Sequence, residues 1–290
     1  RAMGLDHDAP TTREGWGRLA RATGTKVIHI AERDTQVTRE PRRPGEFVNT
    51  WSIPGLIEEA MMPAEMGWGS HERRLPDGAC SHDHGPRNAI YFLRPGGDMF
   101  LRSWVPSGPI TGVSIAHGET VTLSDYLTLH EDGRPVYRPT VCFVYLACDS
   151  AMASLHDTVM RDWRPPERER LLNEDIIEGR DELGVLLLGH GLGGWWYGSL
   201  LDIHEARRLV PGNNPTALQV AAGAVAATVW TARNPAAGFR EPEHLPHDEI
   251  LGIARPYLGP MVSRATDWTP LKERRFVFAE PWGDPADPQR

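Results

Sequence analysis

The run DELGVLLLGHGLGGWWYGSLLD, residues 181–202, constrains the fold more than any other stretch. Its centre, GHGLGG at residues 189–194, matches the spacing G-x-G-x-x-G and follows an apolar, strand-like segment. A dinucleotide-binding turn would open a helix at once, so that the helix's first amides face a pyrophosphate. Here WWYGSLLD follows, aromatic and β-like. The expectation is two strands around a glycine turn, a hairpin, and the chain has no other convincing nucleotide-binding unit.

The remaining elements are read the same way. Thr11 and Glu14 have the spacing of a capping box ahead of REGWGRLARATG, with Gly24 placed to stop that helix. KVIHIAER (26–33) and FVNTWS (47–52) read as strands, and Pro54 starts a short helix in PGLIEEAM. AIYFLRP, MFLRSWVP, ITGVSIAHG and VCFVYLAC are further strand-like runs, and HEDGRPVYRPT carries an Asp-Gly hairpin signal. Composition then turns helical: IHEARRLV, NPTALQVAAGAVAATVWTARNP and PHDEILGIARPYLGP. The sum is an α+β chain, a mixed sheet of about six strands followed by a helical carboxy-terminal segment.

Lys+Arg number 31 against Asp+Glu 39, a formal charge of −8. A nucleic-acid backbone needs a basic stripe, so that partner is not expected. The three cysteines form no Cys-x-x-Cys pair and no disulfide framework, which fits a reducing, cytoplasmic setting. The longest apolar stretch, 221–230, is far too short to span a bilayer, and no membrane partner is expected. CSHDHG (80–85) looks like metal ligands, but so local a cluster lacks distant partners, and a polar loop with no metal is the preferred reading. Cys142 and Cys148, in an apolar run, read as inert core thiols.

Three acids, a histidine and a tryptophan remain. Glu32 sits at a strand end before Arg33 and Asp34, either a surface ion pair or part of a site. His117 ends SIAHG, as a satisfied loop residue or a functional one. Asp181 precedes the apolar strand, in a turn role or facing a site. Trp51 lies eight residues before Glu59, either as core or as a ring that grips a cation beside a carboxylate.

PTTREGWGRLA, IHIAERDTQ, FVNTWS, PAEMGWG, VYRPT, DELGVLLLGHG, WYGS, NPTALQV and PYLGP…DWTPL together resemble bacterial homospermidine synthases, of the saccharopine-dehydrogenase-like group. The resemblance runs over almost the whole chain. It implies an amino-terminal NAD-binding Rossmann domain, absent from a sequence that opens at Arg1. It also implies a substrate-binding and dimerisation domain over 1–205, and a helical segment over 206–290 that would pack on the missing domain. The reaction it implies joins two putrescines, or spermidine and putrescine, through imines with no net redox. By the same resemblance His117 and Glu32 would be catalytic, Trp51, Glu59 and Asp181 would bind substrate, and a homodimer is expected. Two rivals stand beside it. A saccharopine- or carboxyspermidine-type reductase would need an Arg or Lys clamp for its carboxylate substrate; the other rival is a noncatalytic oligomerisation module.

Overall fold

The computed structural model describes residues 9–271. The opening at Arg1 and the last part of the expected helical segment lie outside them. Among the described residues, ten strands form one mixed sheet. They are β1 (Val27–Asp34), β2 (Pro63–Gly67), β3 (Ala79–Ser81), β4 (Ala89–Pro95), β5 (Phe100–Val105), β6 (Gly108–Val113), β7 (Thr140–Leu146), β8 (Arg180–His190), β9 (Gly193–Asp202) and β10 (Met261–Thr266). The order along the sheet is β10-β9-β8-β1-β7-β2-β4-β3, and β6 pairs with both β7 and β5. Seven helices accompany it: α1 (Arg13–Thr23), α2 (Ile53–Met61), α3 (Glu119–Tyr126), α4 (Asp149–Met160), α5 (Ile203–Leu209), α6 (Pro215–Arg233) and α7 (His247–Ala254). The α+β expectation holds. The sheet is wider than the six strands expected, because β2, β3 and β10 are short and their own side-chain patterns do not mark them.

The glycine run is a hairpin. β8 and β9 pair in register from Arg180 opposite Asp202 to Leu188 opposite Gly194, and Gly189 and Gly193 take left-handed φ of 93° and 83°. Gly198 is required by close approach, since a Cβ there would lie 2.3 Å from the Leu183 carbonyl oxygen. Three sequence expectations shift. The cap of α1 is Thr12, whose side chain accepts from Gly15 N, and not Thr11; Glu14 instead pairs with Arg18 one turn on. The strand around FVNTWS spans only Glu46–Asn49 and pairs outside the main sheet, with Arg168–Leu171. The strand before His117 stops at Val113, so His117 stands on a loop leading into α3; the Ala116 amide ties that loop to the Glu59 carbonyl of α2 at 3.0 Å.

β1 lies between β7, parallel to it, and β8, antiparallel. Ile30, Phe143 and Tyr145 face a core with Phe47, Ile53, Leu56 and Leu155, supplied largely by α2 and α4. Ala31, Cys142 and Val144 face Met66, Phe92, Val105 and Ile110 on the other side. Strands covered on both faces read as near-continuous apolar runs, as β7 does. A carboxylate on either face of β1 is therefore costly unless something compensates it.

Candidate active site

β1 and β7 run parallel, so their carboxyl ends coincide, and antiparallel β8 begins at that same end. The register sets Glu32 opposite Tyr145 and Asp34 opposite Asp181. Strand alternation puts Glu32 and Asp34 on the face of Ile30 and turns Arg33 away. The Arg33 guanidinium donates to Ser107 Oγ at 2.8 Å, so the possible ion pair with its neighbours is not formed. Glu32, Asp34 and Asp181 are 8%, 3% and 0% exposed. No ion pair among the described residues neutralises them; Arg180, nearest along the chain, pairs with Glu182 instead.

The buried acids differ in their donors. Asp34 accepts from the Gln36 amide (2.8 Å) and Gln36 Nε2 (2.9 Å) at Oδ1, and from Thr50 Oγ1 (2.8 Å) at Oδ2. Asp181 accepts from Thr216 Oγ1 at Oδ2 (2.7 Å), while its buried Oδ1 has no partner. Burial, then the Asp181 carboxyl within hydrogen-bond reach, then Asp34 and Glu59, push Glu32 well above the usual carboxylate range. Burial and the Asp34 charge push Asp181 up to about 7 against the Thr216 bond. Burial also raises Asp34, its donors opposing. Tyr145, 1% exposed, is held well above its ordinary value by burial and then by the same three acids.

Above this floor is a half-exposed rim. Trp51 Nε1 donates to Tyr145 Oη at 3.0 Å, which ties the edge of the indole to the tyrosine beside the acids, while the ring packs against the core. Glu59, on α2, lies with Oε2 at 3.4 Å from His117 Nε2, and Glu119 Oε2 at 3.2 Å from His117 Nδ1. The His117 ring stacks on Phe143, centroids 3.8 Å apart and planes 14° from parallel. Burial pulls the His117 pKa down, but the bonds to Glu119 and Glu59 outweigh it and lift it to about 9. His117 is therefore a cation at neutral pH. The end of the sheet thus holds buried anionic capacity beside Trp51.

Comparison with known proteins places the chain. The profile of the saccharopine dehydrogenase C-terminal domain matches residues 12–267. The chain belongs to that family. It is similar to the homospermidine synthase of Blastochloris viridis, 45% identical over 280 residues, which are 96% of this chain and 59% of that one. It is also similar to the homospermidine synthase of Mesorhizobium japonicum, 41% identical over 283 residues, 96% of this chain and 58% of that one. The crystal structure of the Legionella pneumophila homospermidine synthase in complex with NAD superposes with a TM-score of 0.93 at 46% identity. All of this chain and 63% of that one are covered. The chain spans about three-fifths of the length of these relatives.

Within this saccharopine dehydrogenase C-terminal domain, the residues singled out from sequence meet at one end of the sheet. Glu32 lies within hydrogen-bond reach of Asp181, Trp51 is tied to Tyr145 beside them, and Glu59 and His117 pair on the rim. Sequence reading missed Asp34, Tyr145 and Thr216 as site residues. Asp34 was within reach, two residues from Glu32 on a strand and so on the same face. Tyr145 and Thr216 become site residues only through register and through the start of α6, which no local pattern encodes. The CSHDHG residues go elsewhere: His82 Nε2 bonds Glu65 Oε1 (2.6 Å) and His84 Nδ1 bonds Asp83 (2.7 Å). Burial pushes the Cys142 and Cys148 thiols up to about 12, consistent with inert core residues.

Proposed function

We propose that this chain is the substrate-binding part of a homospermidine synthase that joins putrescine to a second putrescine, or to the aminobutyl group of spermidine. The observation that carries the reading is the set of three buried carboxyls, Glu32, Asp34 and Asp181, that no Lys or Arg of the described residues neutralises. A diamine is charged at both ends at pH 7, since its amines resemble that of Lys (~10.4). One carboxylate ~4 Å from an ammonium contributes about 4 kcal/mol at an effective dielectric of about 20, before desolvation. A ring face adds roughly 0.5–2 kcal/mol. The acids therefore supply most of the attraction, and Trp51 orients the chain of methylenes. Glu59 would hold the amine nearer the rim. A substrate carrying a carboxylate would meet the buried acids here: the rim cation, His117, is already paired with Glu59 and Glu119, and Arg33, the one basic residue adjoining the cluster on β1, faces the other side. That speaks against the saccharopine- and carboxyspermidine-type alternative.

NAD belongs to the same proposal. The GHGLGG run is a hairpin and opens no helix, so this run does not form a pyrophosphate cradle of the expected kind. The cofactor would be held mainly outside the stretch that matches the relatives, and α6 would pack there; Val220 and Val225 on α6 are 60% and 51% exposed. When bound, NAD supplies the oxidation and reduction. This chain's share is to bind the amine, orient it and take its proton. His117, already cationic at neutral pH, holds Glu59 in place, and the Glu32–Asp181 pair is the acceptor. A homodimer is part of the reading. The test is Glu32→Gln and Asp181→Asn in the complete protein. Loss of putrescine turnover with unchanged melting temperature supports it. Full turnover in both variants overturns it and favours an oligomerisation module.

A further inference from the structure

Thr216, in the first turn of α6, makes one bond on each side of its hydroxyl. Gln36 Nε2 lies 2.9 Å from Thr216 Oγ1, and Thr216 Oγ1 lies 2.7 Å from Asp181 Oδ2. The Gln36 amide is held in this orientation because the same Nε2 also donates to Asp34 Oδ1, an oxygen that already accepts from the Gln36 backbone amide. This orientation leaves Gln36 Oε1 buried without a partner, so the network holds it at a cost. Gln36 is therefore a donor to Thr216, and of the two carboxyls near Thr216, Asp34 and Asp181, it is Asp181 Oδ2, at 2.7 Å, that takes the hydroxyl proton. The bonds run in one direction: Gln36 to Thr216 to Asp181.

That direction fixes what lies beyond. Asp181 Oδ2 is an acceptor, and Asp181 Oδ1, fully buried, lacks a donor. The carboxyl within hydrogen-bond reach of Asp181 is Glu32, for which no donor comparable to Thr216 is placed. Two carboxyls in contact satisfy each other when one proton lies between them. We propose that Thr216 is a positioning residue. Its hydroxyl, oriented by Gln36, makes Asp181 the proton-accepting member of the buried pair and leaves the resident proton on Glu32. The inference rests on the proposed site for its consequence, that Asp181 receives the amine proton, but not for the proton assignment itself.

The groups that face the pair are Asp34 on β1, Glu182 on β8, Tyr145 on β7, and Glu59 with its partner His117 at the rim. The test is an infrared titration of the complete protein with isotope-labelled aspartate, without polyamine, so that the carboxyls are read independently of turnover. The wild type should show a protonated Glu band at neutral pH that Glu32→Gln removes, and an Asp band titrating near neutrality that Asp181→Asn removes. Thr216→Val should move that Asp midpoint up by roughly one pH unit, the scale of one bond to a charged group, and Thr216→Ser should restore it. An unmoved midpoint in a folded Thr216→Val overturns the proposal. If that variant does not fold, the wild type decides: absence of the protonated Glu band at neutral pH overturns it equally. Loss of putrescine turnover with a normal Asp181 titration would count against the proposed function and leave the proton assignment intact.

Discussion

At the scale of single residues, the rim and the floor of the site respond to different substitutions. In the complete enzyme Trp51→Phe keeps a π face and most of kcat/KM, while Trp51→Ala lowers it about 2–30-fold, the equivalent of roughly 0.5–2 kcal/mol of cation–π attraction. If Trp51 served packing alone, Ala would cost on the order of 3–5 kcal/mol of stability and leave the folded fraction kinetically normal; thermal melts beside putrescine kinetics separate the two. Glu59→Gln should raise KM on the order of tenfold with little change in melting temperature. His117 gives a pH signature. Its pKa rises from about 6.5 in an unfolded chain to about 9 in the fold. Stability from its pairing with Glu59 and Glu119 is therefore complete below about pH 6.5 and lost as pH rises through about 9. Denaturant midpoints should fall over that window, and His117→Asn should flatten the fall.

At the scale of elements, the β8–β9 hairpin makes the clearest prediction. A Cβ at Gly191 meets nothing, so Gly191→Ala should leave melting temperature and NAD affinity of the complete protein unchanged. A Cβ at Gly198 would press on the β8 backbone at 2.3–2.4 Å, and Gly198→Ala should cost about 1–3 kcal/mol by denaturant titration. A phosphate-binding turn would give the reverse pattern for cofactor affinity. This hairpin was legible in the sequence because its residues signal locally: an apolar run, a glycine turn and an aromatic run. The same holds for α6, with Asn214 as cap and Pro215 inside its first turn. β10 was not legible, since MVSRAT is half-exposed and is a strand only because β9 offers it an edge. His117 failed differently. ITGVSIAHG continues the β pattern, yet Ala116 bonds to α2 and pulls the segment off the sheet. Glu32 and Asp181 could be singled out, but their contact follows from the pairing of β1 with β8, which sequence spacing does not contain.

At the scale of the whole molecule, the chain alone should lack both cofactor affinity and turnover. Calorimetric titration of these 290 residues with NAD should show no binding at micromolar concentration, and micromolar affinity would overturn the assignment of the cofactor to another part of the protein. The sheet order carries a further consequence, for synthesis. β1 is complete at Asp34, but its parallel neighbour ends at Leu146 and its antiparallel neighbour at His190. A ribosome adding about 5–20 residues per second needs roughly 8–30 s to deliver both. Until the first of them is complete, the central strand, with its apolar face and its two acids, has neither partner. Pairings so distant along the chain form slowly. The nascent chain must therefore hold an unpaired strand VIHIAERD in water, and the charges at its end are in that interval what keeps it from the strands of neighbouring chains.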